Sequence, residues 1–100
     1  MMEDIIVFKV DEKPKYTLVY FELKKNLEPS DLTLIQRVIP DVHSKKGVVL
    51  SGRGPIWLYT FLAHHYHYVK FVAVHDPRIG YIITESHTPD VKIGEVIEEE

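Results

Sequence analysis

The segment Ser51-Gly52-Arg53-Gly54-Pro55 joins a run of β-branched residues to a helical pattern, and its residue types suit an anion. Gly52 and Gly54 carry no Cβ, so the backbone can turn sharply and approach a ligand closely. Pro55 fits the first turn of a helix, where its missing N–H is no loss. The free N–H groups and dipole of such a helix start favour a phosphate. Ser51 contributes a hydroxyl, and Arg53 a planar guanidinium whose fork matches phosphate oxygens. A Gly-x-Gly also reads as a turn that merely needs small residues. Its place between a buried strand and a helix moves the reading toward anion binding.

A second polar turn, His75-Asp76-Pro77-Arg78, follows the next apolar run. Open α/β sheets take ligands beyond the carboxyl ends of their parallel strands, and both turns are predicted to meet on that rim. Asp76 is a hard oxygen ligand or a base, and Asp-Pro is equally the opening of a turn, with Gly80 nearby for a positive φ. Arg78 either stabilises charge on a phosphate or solvates the turn. His64 and His67 stand three apart on the intervening helical segment and so share a face, while His65 points elsewhere. A His-x-x-His pair can supply two metal ligands, but it lacks the glutamate and four-residue spacing of the zincin motif. It reads equally as exposed histidines at the negative pole of a helix. His87 lies in the loop after the next strand. His43 and His75 join no constellation and are assigned structural roles. Trp57, Phe61 and Phe71 are assigned to the core. Tyr59, Tyr66 and Tyr68 suit packing at a subunit interface or stacking on bases.

Positioning these turns falls to a short series of elements. Ile5–Val10 reads as a strand, and Tyr16–Leu23 as a second, with Thr17, Val19 and Phe21 on one face and Leu18 and Tyr20 on the other. The polar connection Asp11–Lys15, containing Pro14, predicts an antiparallel hairpin. Pro29 fits the start of a short helix that Pro40 ends, with Leu32, Ile35 and Val38 inward. After the loop Asp41–Lys46, the run Val48-Val49-Leu50 suits a strand buried on both faces of a parallel sheet. The pattern from about Pro55 to Tyr68 is helical, with Trp57, Phe61 and Leu62 inward, and Phe71–Val74 is another buried strand. Gly47–Val74 is therefore a βαβ unit with a right-handed crossover. Tyr81–Thr84 returns antiparallel, and Glu85–Asp90 leads to a short strand near Glu95–Ile97. The predicted fold class is α/β, a small mixed sheet with one βαβ unit and flanking antiparallel hairpins.

One hundred residues fit a single domain, residues 1–100, with no room for a second core. A core this small leaves a thin stability margin, so a homo-oligomer is expected. There is no cysteine, which excludes a disulfide framework, a thiolate zinc site and a cysteine nucleophile. Met1–Asp4 carries two acids and no basic leader, and no apolar run approaches the roughly 20 residues of a membrane span. A cytoplasmic location and no membrane partner are expected. The net charge of −3 argues against a general nucleic-acid binder, DNA included. The acidic tail Glu95–Glu100 reads as a solvated end. A small anion remains compatible, because a few local positive groups can hold it despite the overall sign.

The run Lys46–Gly80 resembles the small CRISPR-associated ring nucleases of type III systems, the third such family to be named. The pieces that carry the likeness are Ser51-Gly-Arg-Gly-Pro-Ile-Trp57, Ala63-His64, Tyr66-His67, Phe71-Val-Ala-Val74, Asp76-Pro-Arg78 and Ser86-His87. The resemblance implies a divergent relative of the CARF domain, Rossmann-like in build. It implies a protein that binds cyclic tetra-adenylate, the second messenger of type III effectors, and linearises it with manganese to switch off antiviral signalling. It further implies a homodimer, with two dimers sandwiching one cyclic molecule, so that binding and cutting surfaces come from different dimers. On this likeness Ser51, Gly52, Arg53, Gly54 and Pro55 cradle the ligand, and His67, Asp76 and Arg78 form the catalytic cluster. His67 and Asp76 are the first metal candidates, with His87 and His64 behind them. Attack of a ribose 2′-hydroxyl on the neighbouring phosphorus needs a base, positive charge on the phosphate and in-line geometry, which these residue types can supply. One arginine per subunit becomes four around a symmetric ring, so an acidic chain needs no basic patch of its own. A manganese-dependent 3′ RNA exonuclease (a deadenylase) and a non-catalytic cyclic oligoadenylate sensor are the competing expectations.

Overall fold

The computed structural model describes residues 4–99; the expectations placed on Met1–Glu3 and on Glu100 lie outside the described residues. In chain order the elements are β1 (Ile6–Glu12), β2 (Tyr16–Leu23), a single 3-10 turn (Pro29–Asp31) running into α1 (Leu32–Ile35), β3 (Gly47–Ser51), α2 (Ile56–His65), β4 (Phe71–Asp76), β5 (Gly80–Ser86) and β6 (Val96–Ile97). They build one six-stranded sheet in the order β1-β2-β3-β4-β5-β6. The β1–β2 hairpin is antiparallel, with Val10 opposite Val19, and β4–β5 and β5–β6 are antiparallel too. The middle strands β2, β3 and β4 run parallel.

Two parallel crossovers therefore exist where the sequence predicts one. The segment from β2 through α1 to β3 is the second, and its signal is weak because its helix is a single turn. That turn is held by local polar bonds more than by length: the Glu28 backbone N–H donates to Asp31 Oδ2 at 2.9 Å, and Lys25 Nζ lies 3.2 Å from the same oxygen. Ile35 and Ile39 drop into the core beyond it.

The continuous apolar run of β3 is buried along its full length, as a strand with both faces covered must be. On the helical side, Val19, Phe21, Val48, Leu50 and Val72 pack against Leu58, Leu62, Tyr66 and Ile35. On the other side, Tyr16, Val49, Phe71, Ala73, Tyr81 and Ile83 form a second, smaller cluster. Helix α2 is shorter than its pattern suggests; it turns Leu62 inward as predicted, but pairs it with Leu58. Leu58 and Leu62 are buried, with Tyr66 just past the end, while Trp57 and Phe61 are only half-buried. Its first four residues, Ile56-Trp57-Leu58-Tyr59, are all apolar or aromatic, so periodicity alone could not choose the inner line. Tyr66 ties the helix end to the loop after α1 by donating its hydroxyl to the Pro40 carbonyl at 2.5 Å. Burial pushes that phenol well above its usual range.

Candidate functional site

The carboxyl ends of β3 and β4 lie side by side, because the parallel register sets Leu50 opposite Val74. Each strand then delivers its polar turn onto one rim. Gly52 leaves β3 with φ +144°, in the region glycine favours, and a Cβ there would overlap the Phe21 carbonyl and ring. The chain can therefore pass close over β2 only with glycine at this position. The Tyr59 hydroxyl donates to the Gly52 carbonyl at 2.5 Å and pins the turn to the helix that follows. Burial raises the Tyr59 phenol above its usual range, so it stays a neutral donor.

Pro55 stands at the N-cap of α2, one position earlier than predicted, and no side chain caps the helix. Leu58 and Tyr59 donate their backbone N–H groups to the Pro55 carbonyl, so the amides of Ile56 and Trp57 are the ones that precede the first intrahelical bond. Arg53 projects from the turn, exposed, and its guanidinium makes no ion pair or hydrogen bond with any described residue. An exposed cation next to a helix start, on the wall of an open cavity of about 810 Å³, is an arrangement for an anion.

The β4–β5 turn forms the facing wall. Asp76 Oδ1 accepts from the Arg78 backbone N–H at 2.9 Å, which closes the Asp-Pro turn, and Asp76 Oδ2 lies 3.3 Å from Arg78 Nη2. Gly80, at φ +131°, ends the turn as predicted. Hydrogen bonds from Arg78 hold the Asp76 carboxyl below its ordinary value, and the same contact raises the guanidinium. Asp76 is thereby a fixed negative charge and a weak base. Arg78 is mostly exposed (86%) and can turn its remaining N–H donors to the cavity.

His75, which the sequence joins to no constellation, has a partner on the rim. Its Nδ1 lies 2.9 Å from the Ser51 hydroxyl, across the β3–β4 pair, inside the rim cavity. The edge of the ring packs on Tyr81, centroids 4.9 Å apart. Ser51 is nearly buried, so its single hydroxyl hydrogen has few other places to go. If Nδ1 donates, that hydrogen is free for a ligand oxygen; if Nδ1 accepts, it is not. The signal is present in the sequence only as matched distances: both residues follow their strands' last apolar position, one residue beyond Leu50 and Val74.

The remaining histidines lie elsewhere. Helix α2 runs from the rim back to the start of β4, and its 10 residues span about 15 Å. His64 and His67 therefore sit at the opposite edge of the sheet from Asp76 and Arg78. His87 shares that far edge, since its backbone N–H donates to the Lys70 carbonyl just ahead of β4. The His64 and His67 rings stack at 5.7 Å. His67 Nδ1 lies 2.9 Å from the His64 carbonyl, and because a carbonyl only accepts, Nδ1 carries the proton. Nε2 is then left outward with its lone pair, fit to take a proton or bind a metal. His87 spends its Nε2 on Glu85 at 2.7 Å. Among the described residues, no three histidines or acids converge within one protomer to hold a metal. The predicted set His67, Asp76, His87 and His64 is split between two edges, so a single protomer does not assemble it. His43 stays apart, 3.3 Å from Glu12. Tyr66 is a packing residue, whereas Tyr68 remains exposed.

No helix among the described residues is long and apolar enough to cross a membrane. Residues 20–98 match the family described as CRISPR-associated protein (Cas_csx3). The chain is also similar to an uncharacterized protein of Aquifex aeolicus (strain VF5), 50% identical over 86 residues that cover 81% of this chain and 76% of the relative. Both turns of the rim and the histidine-bearing end of α2 fall inside the matched range, and the chain belongs to the CRISPR-associated Cas_csx3 family.

Proposed function

We propose that this protein is a ring nuclease that binds cyclic tetra-adenylate on the Ser51–Pro55 rim and linearises it, depending on manganese, and so switches off type III CRISPR antiviral signalling. The observation that carries the reading is the unpaired Arg53 guanidinium beside the start of α2, on one open cavity with Asp76 and Arg78. Family membership supports the CRISPR setting. The parallel trio β2-β3-β4, with its ligand edge at the carboxyl ends, supports a divergent relation to CARF and Rossmann-like domains.

Each protomer contributes two distinct surfaces to this reading. The rim neutralises phosphate through Arg53 and Arg78 and donates hydrogen bonds from Ser51 and the helix start. The far edge offers the His67 Nε2 lone pair as the base for a ribose 2′-hydroxyl. One protomer cannot bring both to a single phosphodiester, so the reading requires homodimers stacked edge to rim around the ring. Manganese, a hard cation that accepts imidazole and carboxylate, then belongs where the histidine edge of one protomer meets Asp76 of another.

The split of His67 from Asp76 also favours a second reading, a sensor that binds the ring without cutting it. One substitution separates the two. With manganese and purified protein, His67→Ala is expected to keep ring affinity and lose turnover. Wild-type protein that binds the ring but leaves it intact supports the sensor, and linear polyadenylated RNA consumed faster than the ring overturns both.

A further inference from the structure

The edge opposite the rim, where β2, β3 and β4 begin, carries a row of lysines. Lys15, Lys46 and Lys70 each stand immediately ahead of one of these three parallel strands. Backbone bonds carry the sheet back to all three. The Gly47 N–H donates to the Lys15 carbonyl and the Lys70 N–H to the Lys46 carbonyl, each at 3.2 Å. Neighbouring strands lie about 5 Å apart, so the row spans about 10 Å. Lys45 adds a fourth cation, and these four line a cavity of about 320 Å³ with one acid, Asp90. A chain of net charge −3 thus gathers four of its 12 Lys and Arg residues in one place. Like charges on facing strand positions repel, and the nearby acids offset only part of that. Asp90 lies 2.9 Å from Lys70, and Glu12, which does not line the cavity, lies 3.8 Å from Lys46. Lys45 is exposed, and its ammonium has no partner among the described residues.

We propose that this cavity binds a compact polyphosphate anion, a triphosphate either free or carried by a nucleoside, at a site separate from the rim. The proposal does not depend on the cyclic adenylate reading, because none of its residues belongs to the rim. A triphosphate packs several charged oxygens into a short span and meets several ammonium groups at once. Lysine, a point charge on a flexible stem, follows such a ligand without the fixed fork of an arginine. The volume is at the lower end for small-molecule sites, about 300–1,000 Å³, which suits the phosphates alone. A nucleic-acid strand fits less well, since it wants exposed aromatic rings on which its bases stack. The aromatic residue of this lining, Phe71, is buried in the core. The nucleoside of a bound triphosphate therefore stays outside in solvent, and its base is not read.

Calorimetry with tripolyphosphate, ATP, CTP, inorganic phosphate and a single-stranded oligouridylate, at a physiological ionic strength of about 0.15 M, tests the proposal. The three triphosphates are expected to bind alike, and inorganic phosphate far more weakly. Lys45→Gln removes a cation whose loss orphans nothing in the fold, and is expected to weaken tripolyphosphate binding about 5- to 30-fold. Asp90→Asn removes the acid of the lining and is expected to tighten binding about 2- to 5-fold. Arg53→Ala, at the other end of the strands, is expected to bind tripolyphosphate as wild type does. Thermal unfolding checks that each variant is folded. No triphosphate binding at this ionic strength overturns the proposal, as does oligouridylate binding tighter than tripolyphosphate. Loss of binding in Arg53→Ala with none in Lys45→Gln would place the anion on the rim and overturns it too.

Discussion

Arg53→Ala is the perturbation whose size follows most directly from the rim. The guanidinium is exposed and has no described partner, so its removal orphans no buried group and opens no cavity. Folding stability should stay within about 0.5 kcal/mol of wild type, the usual range for a surface change. Ligand affinity should not. A hydrogen bond to a charged group contributes roughly 1.5–3 kcal/mol, which is about a 10- to 150-fold loss for each phosphate contact. A ring contacted by several symmetric copies loses more than one increment. Arg53→Lys keeps the charge but not the planar fork, and should fall between. Calorimetry with cyclic tetra-adenylate at two salt concentrations measures both effects, since a lost phosphate contact also flattens the salt dependence. Thermal unfolding of the same samples checks the fold. Affinity within twofold of wild type, or a loss that tracks a lowered melting temperature, would refute the assignment of Arg53 to phosphate.

Three further outcomes test neighbouring parts. Ser51→Ala and His75→Ala should each weaken ring binding, and the double variant should be no worse than either single one, because both break one hydrogen-bonded unit; additive losses would sever the link. His75→Asn, whose amide nitrogen can stand near the Nδ1 position, should restore much of the affinity. Gly52→Ala forces a left-handed residue against the Phe21 carbonyl and should cost about 1–3 kcal/mol, read as a melting temperature at least about 4 °C lower; an unchanged melt would mean the turn is not built as described. Acid should unfold the protein through three carboxylates whose folded values lie below the ordinary 3.8. A backbone hydrogen bond from Glu28 depresses Asp31, hydrogen bonds from Arg78 depress Asp76, and a hydrogen bond from Lys70 depresses Asp90. The unfolded chain takes up protons first, so this stabilisation is complete above about pH 5 and is lost as pH falls below about 4 toward the folded values. A melting temperature that holds steady down to pH 3 contradicts it, and Asp31→Asn should make the decline shallower.

Much of the scaffold is legible in the sequence because its signals are local. The β-branched run of β3 announces a doubly buried strand, the alternation in β2 separates Thr17, Val19 and Phe21, which prove buried, from Leu18 and Tyr20, and Asp76-Pro77 with Gly80 announces the turn. What the sequence conceals depends on contacts between distant residues. The second parallel crossover is hidden because α1 is held by Asp31 and its partners, not by a repeated apolar stripe. On α2 the predicted Leu62 does face inward, but Leu58 is buried where Trp57 and Phe61 are only half-buried, because adjacent lines of that helix are all apolar enough to face inward. His75 looks idle because hydrogen-bond partners on neighbouring strands are set by register, and no spacing within the sequence reveals register.

The position of His67 is a different matter, because the pattern already contains it. A strand that ends at a ligand rim and continues into a helix must return along the sheet before the next parallel strand can begin. The helix therefore finishes at the edge opposite the rim, whatever its side chains are. Ser51 and Asp76 end parallel strands and share the rim, and His67 follows the return helix and cannot join them within one chain. A loop after β5 reaches the far edge by the same logic, since β5 runs antiparallel to β4, and this places His87 beside the end of α2. Any mechanism using His67 with Asp76 is thus a statement about two protomers. Mixing His67→Ala protein with Asp76→Asn protein should restore part of the ring cleavage that each lacks alone, as mixed assemblies regain intact edge-to-rim junctions. Absence of any recovery, with mixed assembly verified, would leave His67 outside the chemistry altogether.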